Sequence, residues 1–233
     1  MSAPADFSDR LVASVGQAVS ARAAPSLYRA LLRLLSHGEP VTIAGLAAAT
    51  GQATDAVQRA VAGWSDTEYD LQGRIIGWGL TLRPTPHRFN IDGKQLYTWC
   101  ALDTLFFPAV IGCPARIESP CAATGIPIKL TVDPLAGVGA LDPSTAVVSI
   151  VTPEQMSSVR TAFCNPGRFF ATANAARNWR RKHPGMEVLS VVDAYRVSRP
   201  LSEMLLETAL DHFEKRFGIC CRSKQQVPPQ RHL

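Results

Sequence analysis

A chain of 233 residues with 46% hydrophobic and 18% charged side chains has enough apolar material for a core, which excludes a disordered segment, and its length suits one or two small domains. Its formal net charge of +5 is spread thinly, without the block of like charges that marks a nucleic-acid-binding arm. No apolar run approaches the ~18 residues of a membrane span.

Residues 1–12 carry Asp6, Asp9 and Arg10 among few apolar side chains and lack the apolar centre of a secretory leader. The expected location is the cytoplasm, without membrane association. In that reducing compartment the cysteines at 100, 113, 121, 164, 220 and 221, with no C-x-x-C among them, do not predict a disulfide framework.

In chain order, Leu27, Leu31, Leu34 and Leu35 recur on one helical face behind Pro25, predicting an amphipathic helix over 26–36. Gly38-Glu39-Pro40 breaks it. Val41, Ile43, Leu46 and Ala47 open a short second helix, and Thr54 can cap a third carrying Val57, Ala60 and Val61. The turn-rich 69–73 then leads into a β-branched and aromatic stretch over 74–82. Three helices and a hairpin resemble a winged helix-turn-helix.

Pro84 and Pro86 suggest a soft boundary between about 80 and 95. Beyond it, strands are expected over 87–91, 115–119, 128–132, 146–151, 168–171 and 188–192, and helices over 97–107, 153–163, 174–182 and 200–217. The fold class read from this pattern is α+β: a winged-helix-like three-helix module (1–83), a mixed core of short antiparallel strands flanked by helices (84–219), and a polar tail (220–233).

As a DNA reader the module is poorly equipped. Between Thr54 and Trp64 only Gln58 and Arg59 suit base or phosphate contacts, and Asp55 repels phosphate.

The stretch 97–107 is the most informative. Cys100 and Asp103 stand three apart among large apolar residues; on a helix they share a face, where burial disfavours both charged forms. The same spacing also fits a helix end with the carboxylate in solvent and the thiol buried as a small hydrophobe. Cys164 opens Cys-Asn-Pro-Gly, a turn able to present its sulfur at the edge of a core. Cys121, in Ser-Pro-Cys-Ala-Ala-Thr-Gly, and Cys113, in Gly-Cys-Pro, read as packed structural thiols. Zinc wants closely spaced ligand pairs, which are missing, and none of His37, His87, His183, His212 and His232 carries a protease signature.

The chain resembles the organomercurial (alkylmercury) lyases of bacterial mercury resistance. The resemblance runs through Ser65-Asp-Thr-Glu-Tyr-Asp70, Gly73-Arg-Ile-Ile-Gly-Trp-Gly-Leu-Thr-Leu-Arg83, Leu96-Tyr-Thr-Trp-Cys-Ala-Leu-Asp-Thr-Leu105, Cys121-Ala-Ala-Thr-Gly125 and Phe163-Cys164. It implies that Cys100 and Cys164 are the mercury-binding thiols, with Asp103 handling the proton and Cys121 a buried structural cysteine. Some members place a second cysteine where this chain has Asn165.

The implied reaction replaces a carbon–mercury bond by carbon–hydrogen. Thiolates are natural ligands for a soft metal and push electrons onto carbon, which then takes a proton from a positioned acid. A thiol near pKa ~8.5 beside an aspartate near ~3.9 leaves about 6 kcal/mol for the site to erase before sulfur can pass its proton to Asp103. Cys100 and Asp103 are therefore expected to titrate as a coupled pair. Trp99, Phe106, Phe107 and Phe163 are candidate pocket walls. The expected partners are an organomercurial substrate, cytosolic thiols and, by the resemblance, a mercuric reductase that accepts Hg(II). The Cys220-Cys221 pair reads first as an incidental reduced pair, with help in mercury transfer as the alternative; no cofactor and no nucleic acid are expected. The contrasting reading is a mercury- or thiol-responsive DNA-binding regulator on the same helices.

Overall fold

The computed structural model describes residues 7–15, 25–152 and 158–207. A helix over 7–15 (α1) precedes α2 (Pro25–Leu35), α3 (Ile43–Thr50) and α4 (Thr54–Ala62). α2 starts on proline, whose missing N–H costs nothing in a first turn, and buries Leu27, Tyr28, Leu31, Leu32 and Leu35. α3 opens on Thr42, whose hydroxyl accepts from the Gly45 N–H at 2.9 Å, and closes at Gly51 with φ 66°, a left-handed turn that glycine adopts cheaply. Thr54, read as the cap of α4, is instead its first residue; Ala53 holds the cap position and no side chain caps the helix.

The hairpin that follows does not stand apart as a wing. β1 (Glu68–Tyr69), β2 (Ile75–Trp78) and β3 (Leu80–Thr81) continue into β4 (His87–Ile91), β5 (Lys94–Thr98), β6 (Ala115–Pro120), β7 (Pro127–Asp133) and β8 (Gly137–Asp142). These eight strands form one sheet in the order β1-β2-β3-β5-β4-β6-β7-β8, antiparallel throughout. The join is Leu80 opposite Thr98 and Thr81 opposite Tyr97, so the sheet runs on past residue 83. β6 alternates buried and exposed residues along its length, the period-2 signature of a sheet with one covered face.

That face is covered by α5 (Asp103–Ile111), apolar on nearly every side and buried along almost its whole length. β9 (Val147–Ile150) pairs with β10 (Phe169–Phe170) and β11 (Glu187–Ser190) in a second, three-stranded sheet. A π-helical turn over Arg160–Cys164 and the short α6 (Arg177–Lys182) lie between these strands. α7 (Val191–Glu207) then packs against both α5 and α2.

The α+β architecture is as the sequence predicts, while several element bounds differ. The helix expected over 97–107 is strand to Thr98, a turn over 99–102, and helix only from Asp103. Of the helix expected over 153–163, residues 153–157 lie outside the described ones, and from Arg160 on it is the π-helical turn. The last helix starts at Val191 rather than Pro200, and its expected continuation to 217 also lies outside the described residues, as does the tail. β5 and β8 are additional strands. Cys113 is buried and, contrary to the expectation of free thiols, disulfide-bonded.

Candidate active site

Cys100 sits on the turn between β5 and α5, fixed from several sides. The Thr98 hydroxyl donates to the Cys100 carbonyl at 2.9 Å, the Trp99 N–H donates to the Gly79 carbonyl at 2.8 Å, and the Ala101 N–H donates to the Gly167 carbonyl at 3.1 Å. Asp103, first residue of α5, turns its carboxylate back to accept the Cys100 N–H at 3.1 Å. Thiol and carboxylate are thus neighbours across a tight turn, not members of one helical face.

Cys164 arrives from the other side of the core, on the last residue of the π-helical turn, where the Asn165 N–H bonds the Arg160 carbonyl at 2.8 Å. Its Sγ lies 4.0 Å from Asp103 Oδ2. One ligand atom from each of Cys100, Asp103 and Cys164 falls within 4.8 Å of the others, and all three residues are buried. Gly167 makes this approach possible: a Cβ there would stand 3.1 Å from Cys100 Cβ and 3.6 Å from its Sγ.

Burial sets the protonation. It pushes the Asp103 carboxyl up to about 7, against the pull of hydrogen bonds from Cys100 and the Trp99 backbone. It also raises the Cys100 thiol. Cys164 is held well above the usual thiol range, first by its hydrogen bond with Cys100, then by burial and the Asp103 charge, with Arg160 pulling the other way. The unloaded site therefore keeps both sulfurs protonated beside a carboxyl poised near neutrality. Raising Asp103 narrows the mismatch inferred for ordinary side chains while raising the thiols widens it, so closing the gap requires a metal that lowers the thiols.

A narrow apolar pocket opens on Asp103 and Cys164, lined among others by Tyr28, Trp78, Trp99, Phe106, Phe163 and Leu201. Of the four aromatic candidates for its wall, Trp99, Phe106 and Phe163 line it, whereas Phe107 is plain core, fully buried against Tyr28 and Phe106. Tyr28 and Leu201 had no local signal, because long-range packing alone brings α2 and α7 onto α5.

A polar clamp behind the pocket also escaped the sequence reading. Glu68, buried in the Ser65–Asp70 stretch, accepts from the Thr81 hydroxyl and pairs with Arg160. Arg160 lies over the Trp99 ring at 4.9 Å. Asp66 accepts from the Ser158 hydroxyl at 2.9 Å and from the Arg160 N–H at 3.4 Å. The π-helical turn carrying Cys164 is thus tied at its start to the segment before β2.

Cys121 stands outside the trio. It is buried in a turn stitched to β10 by the Ala122 N–H on the Phe169 carbonyl at 2.9 Å. Burial raises its thiol, but hydrogen bonds with Thr124, Ala123 and Ala171 outweigh this and lower it.

A family model for alkylmercury lyase matches residues 80–203, and one for the helix-turn-helix domain of alkylmercury lyase matches residues 6–79. An alkylmercury lyase of Streptomyces lividans is 56% identical over 191 residues, 82% of this chain and 87% of that protein. This chain belongs to the alkylmercury lyase family. Alkylmercury lyases of Bacillus cereus, 51% identical over 84% of this chain and 87% of theirs, and of Pseudomonas putida, 46% identical over 78% and 85%, agree. The crystal structure of the mercury-bound form of MerB2 superposes with a TM-score of 0.71 at 24% identity, covering 84% of this chain and 99% of that one, and supports the fold. The regulator reading is not favoured: on the helix that would enter a groove, Arg59 is paired with Asp55 at 3.1 Å. Among the described residues no helix is long and apolar enough to cross a membrane.

Proposed function

We propose that this lyase cleaves carbon–mercury bonds by protonolysis, with Cys100 and Cys164 as mercury ligands and Asp103 as the proton carrier. The observation that carries the reading is the meeting of two thiols and one carboxyl, all buried, within 4.8 Å. One thiol passes its proton to Asp103 as its sulfur takes the metal, and the second sulfur joins. Asp103 then protonates the carbon as the carbon–mercury bond breaks and its electrons stay on carbon. With a thiol adduct as substrate the sum is RHgSR′ plus two cysteine thiols giving RH, R′SH and a bis-cysteine Hg(II) complex. Atoms and charge balance, no oxidation state changes, and no cofactor is needed.

The apolar pocket holds the organic group and keeps water from the carboxyl. The elevated Asp103 makes it a proton donor near neutral pH rather than a spectator anion. Release of Hg(II) then falls to external thiols in the cytoplasm, or to the cysteines of a mercuric reductase. The test is incubation with a phenylmercury salt and excess thiol: catalytic benzene release is expected, and stoichiometric mercury binding without benzene would sink the reading.

A further inference from the structure

Charge that is thin over most of the sequence is concentrated in one stretch of it. Between Glu154 and Glu187 there is no acidic residue, while Arg160, Arg168, Arg177, Arg180, Arg181 and Lys182 fall there. Arg160 is paired with Glu68. The remaining five equal the net charge of the whole chain, +5.

Four of the five stand exposed on α6, which has no buried residue. The helix is held down through Trp179: its indole N–H donates to the Pro166 carbonyl at 3.1 Å, and its ring meets Phe170 at 6.2 Å and His183 at 4.4 Å. Arg168 donates its Nε–H to the Asn165 carbonyl at 2.9 Å. The cations are therefore anchored on the turn 164–167. That turn is a thin wall: Cys164 and Gly167 are buried and Gly167 faces Cys100, whereas Asn165 between them is exposed.

We infer that α6 and Arg168 form a docking surface for a small carboxylate-bearing thiol that withdraws Hg(II) from Cys164 and Cys100. The inference rests on the lyase reading above, since that reaction leaves a soft metal on two sulfurs that only other sulfur ligands displace effectively. A thiol with carboxylates is anionic at neutral pH, guanidinium forks pair with carboxylates, and a one-signed patch raises local concentration and association rate. In each of two exchanges a new mercury–sulfur bond forms, a mercury–cysteine bond breaks, and the incoming thiol's proton ends on the departing cysteine. The sum returns both protein thiols and a bis-thiolate Hg(II), without redox change.

The test loads the full-length protein with one equivalent of Hg(II) and measures its removal by glutathione, 2-mercaptoethanol and cysteamine, each rate divided by thiolate concentration. The expected order is anionic, then neutral, then cationic, with glutathione about tenfold ahead of 2-mercaptoethanol at about 0.05 M salt and that lead shrinking at about 0.5 M. The variant Arg177→Gln/Arg180→Gln/Arg181→Gln/Lys182→Gln should bring glutathione down to the 2-mercaptoethanol rate, leaving the latter within twofold. An equal ranking of the three thiols in the unmodified protein overturns the inference, as does a variant with an unaltered glutathione lead. So does a variant that loses only affinity for a DNA duplex, which would reassign the surface. The salt series needs no variant. Because Hg(II) is supplied directly, exchange is read even if no benzene is released from phenylmercury, so failure of the lyase reading shows separately.

Discussion

Asp103 has two tasks, one chemical and one architectural, and substitution separates them. Asp103→Ala should still take up one Hg(II) on Cys100 and Cys164 while benzene release in a single turnover falls by about 10²-fold or more; mercury content and benzene yield on the same sample check both. Gly167→Ala attacks the geometry instead. Its Cβ, 3.1 Å from Cys100 Cβ, must shift Cys100 by a few tenths of an ångström; as a misplacement near 1 Å costs about 10²-fold in rate, a fall of about threefold to tenfold in benzene release is expected, with the melting temperature nearly unchanged. At this scale the sequence was legible where chemistry was local: Cys100, Asp103 and Cys164 meet as the family resemblance implies. Gly167 and Tyr28 were not, because their importance comes from what packs on them from distant segments.

Among elements, the π-helical turn is the telling case. Its extra residue per turn aims Cys164 inward, and no periodicity announces it, since a five-residue turn is too short to show one. What holds it is the Glu68–Arg160 pair with Asp66. Glu68→Gln should weaken the pairing with Arg160 at a buried carboxylate and cost about 1–3 kcal/mol, read as a lower denaturant midpoint. The helix expected over 97–107 takes in Tyr97 and Thr98, the end of β5, because the apolar spacing fits either period over so short a run. Pairing with His87–Ile91 decides for strand, and that decision places Cys100 on a turn. The α2 and α3 helices, with a proline start and glycine stops, were readable from local signals alone.

For the molecule as a whole, the two family matches meet at residues 79 and 80, inside the β2–β3 hairpin, yet the sheet continues across the junction through β3 and β5. Acid response is also a property of the whole. His87, buried with its Nε2 unpartnered, is pushed down to about 3 by burial and then by Arg168, while the unfolded chain takes that proton below about 6.5. Its contribution to stability is present above that pH and falls by about 1.4 kcal/mol per unit below it. Asp103, raised to about 7, keeps in the fold a proton that the unfolded chain gives up above about 3.9, so its contribution falls as pH rises from there to 7. Between about pH 4 and 6.5 the two slopes oppose each other. Asp103→Asn should therefore stabilise the protein near neutrality yet melt at steadily lower temperature as pH drops from 6 to 4, where the unmodified protein stays nearly level. Equal slopes in the two proteins would remove Asp103 from the account, and a variant that stays level from pH 6 to 4 would remove His87.

The dry meeting point of two sulfurs and one carboxyl also answers a question of selectivity. Magnesium and calcium, abundant in any cell, surrender their water shells only to several oxygens at once, and this chamber offers a single carboxyl. Hard ions have nothing to gain by entering, so against them the proposed reaction needs no filter at the door.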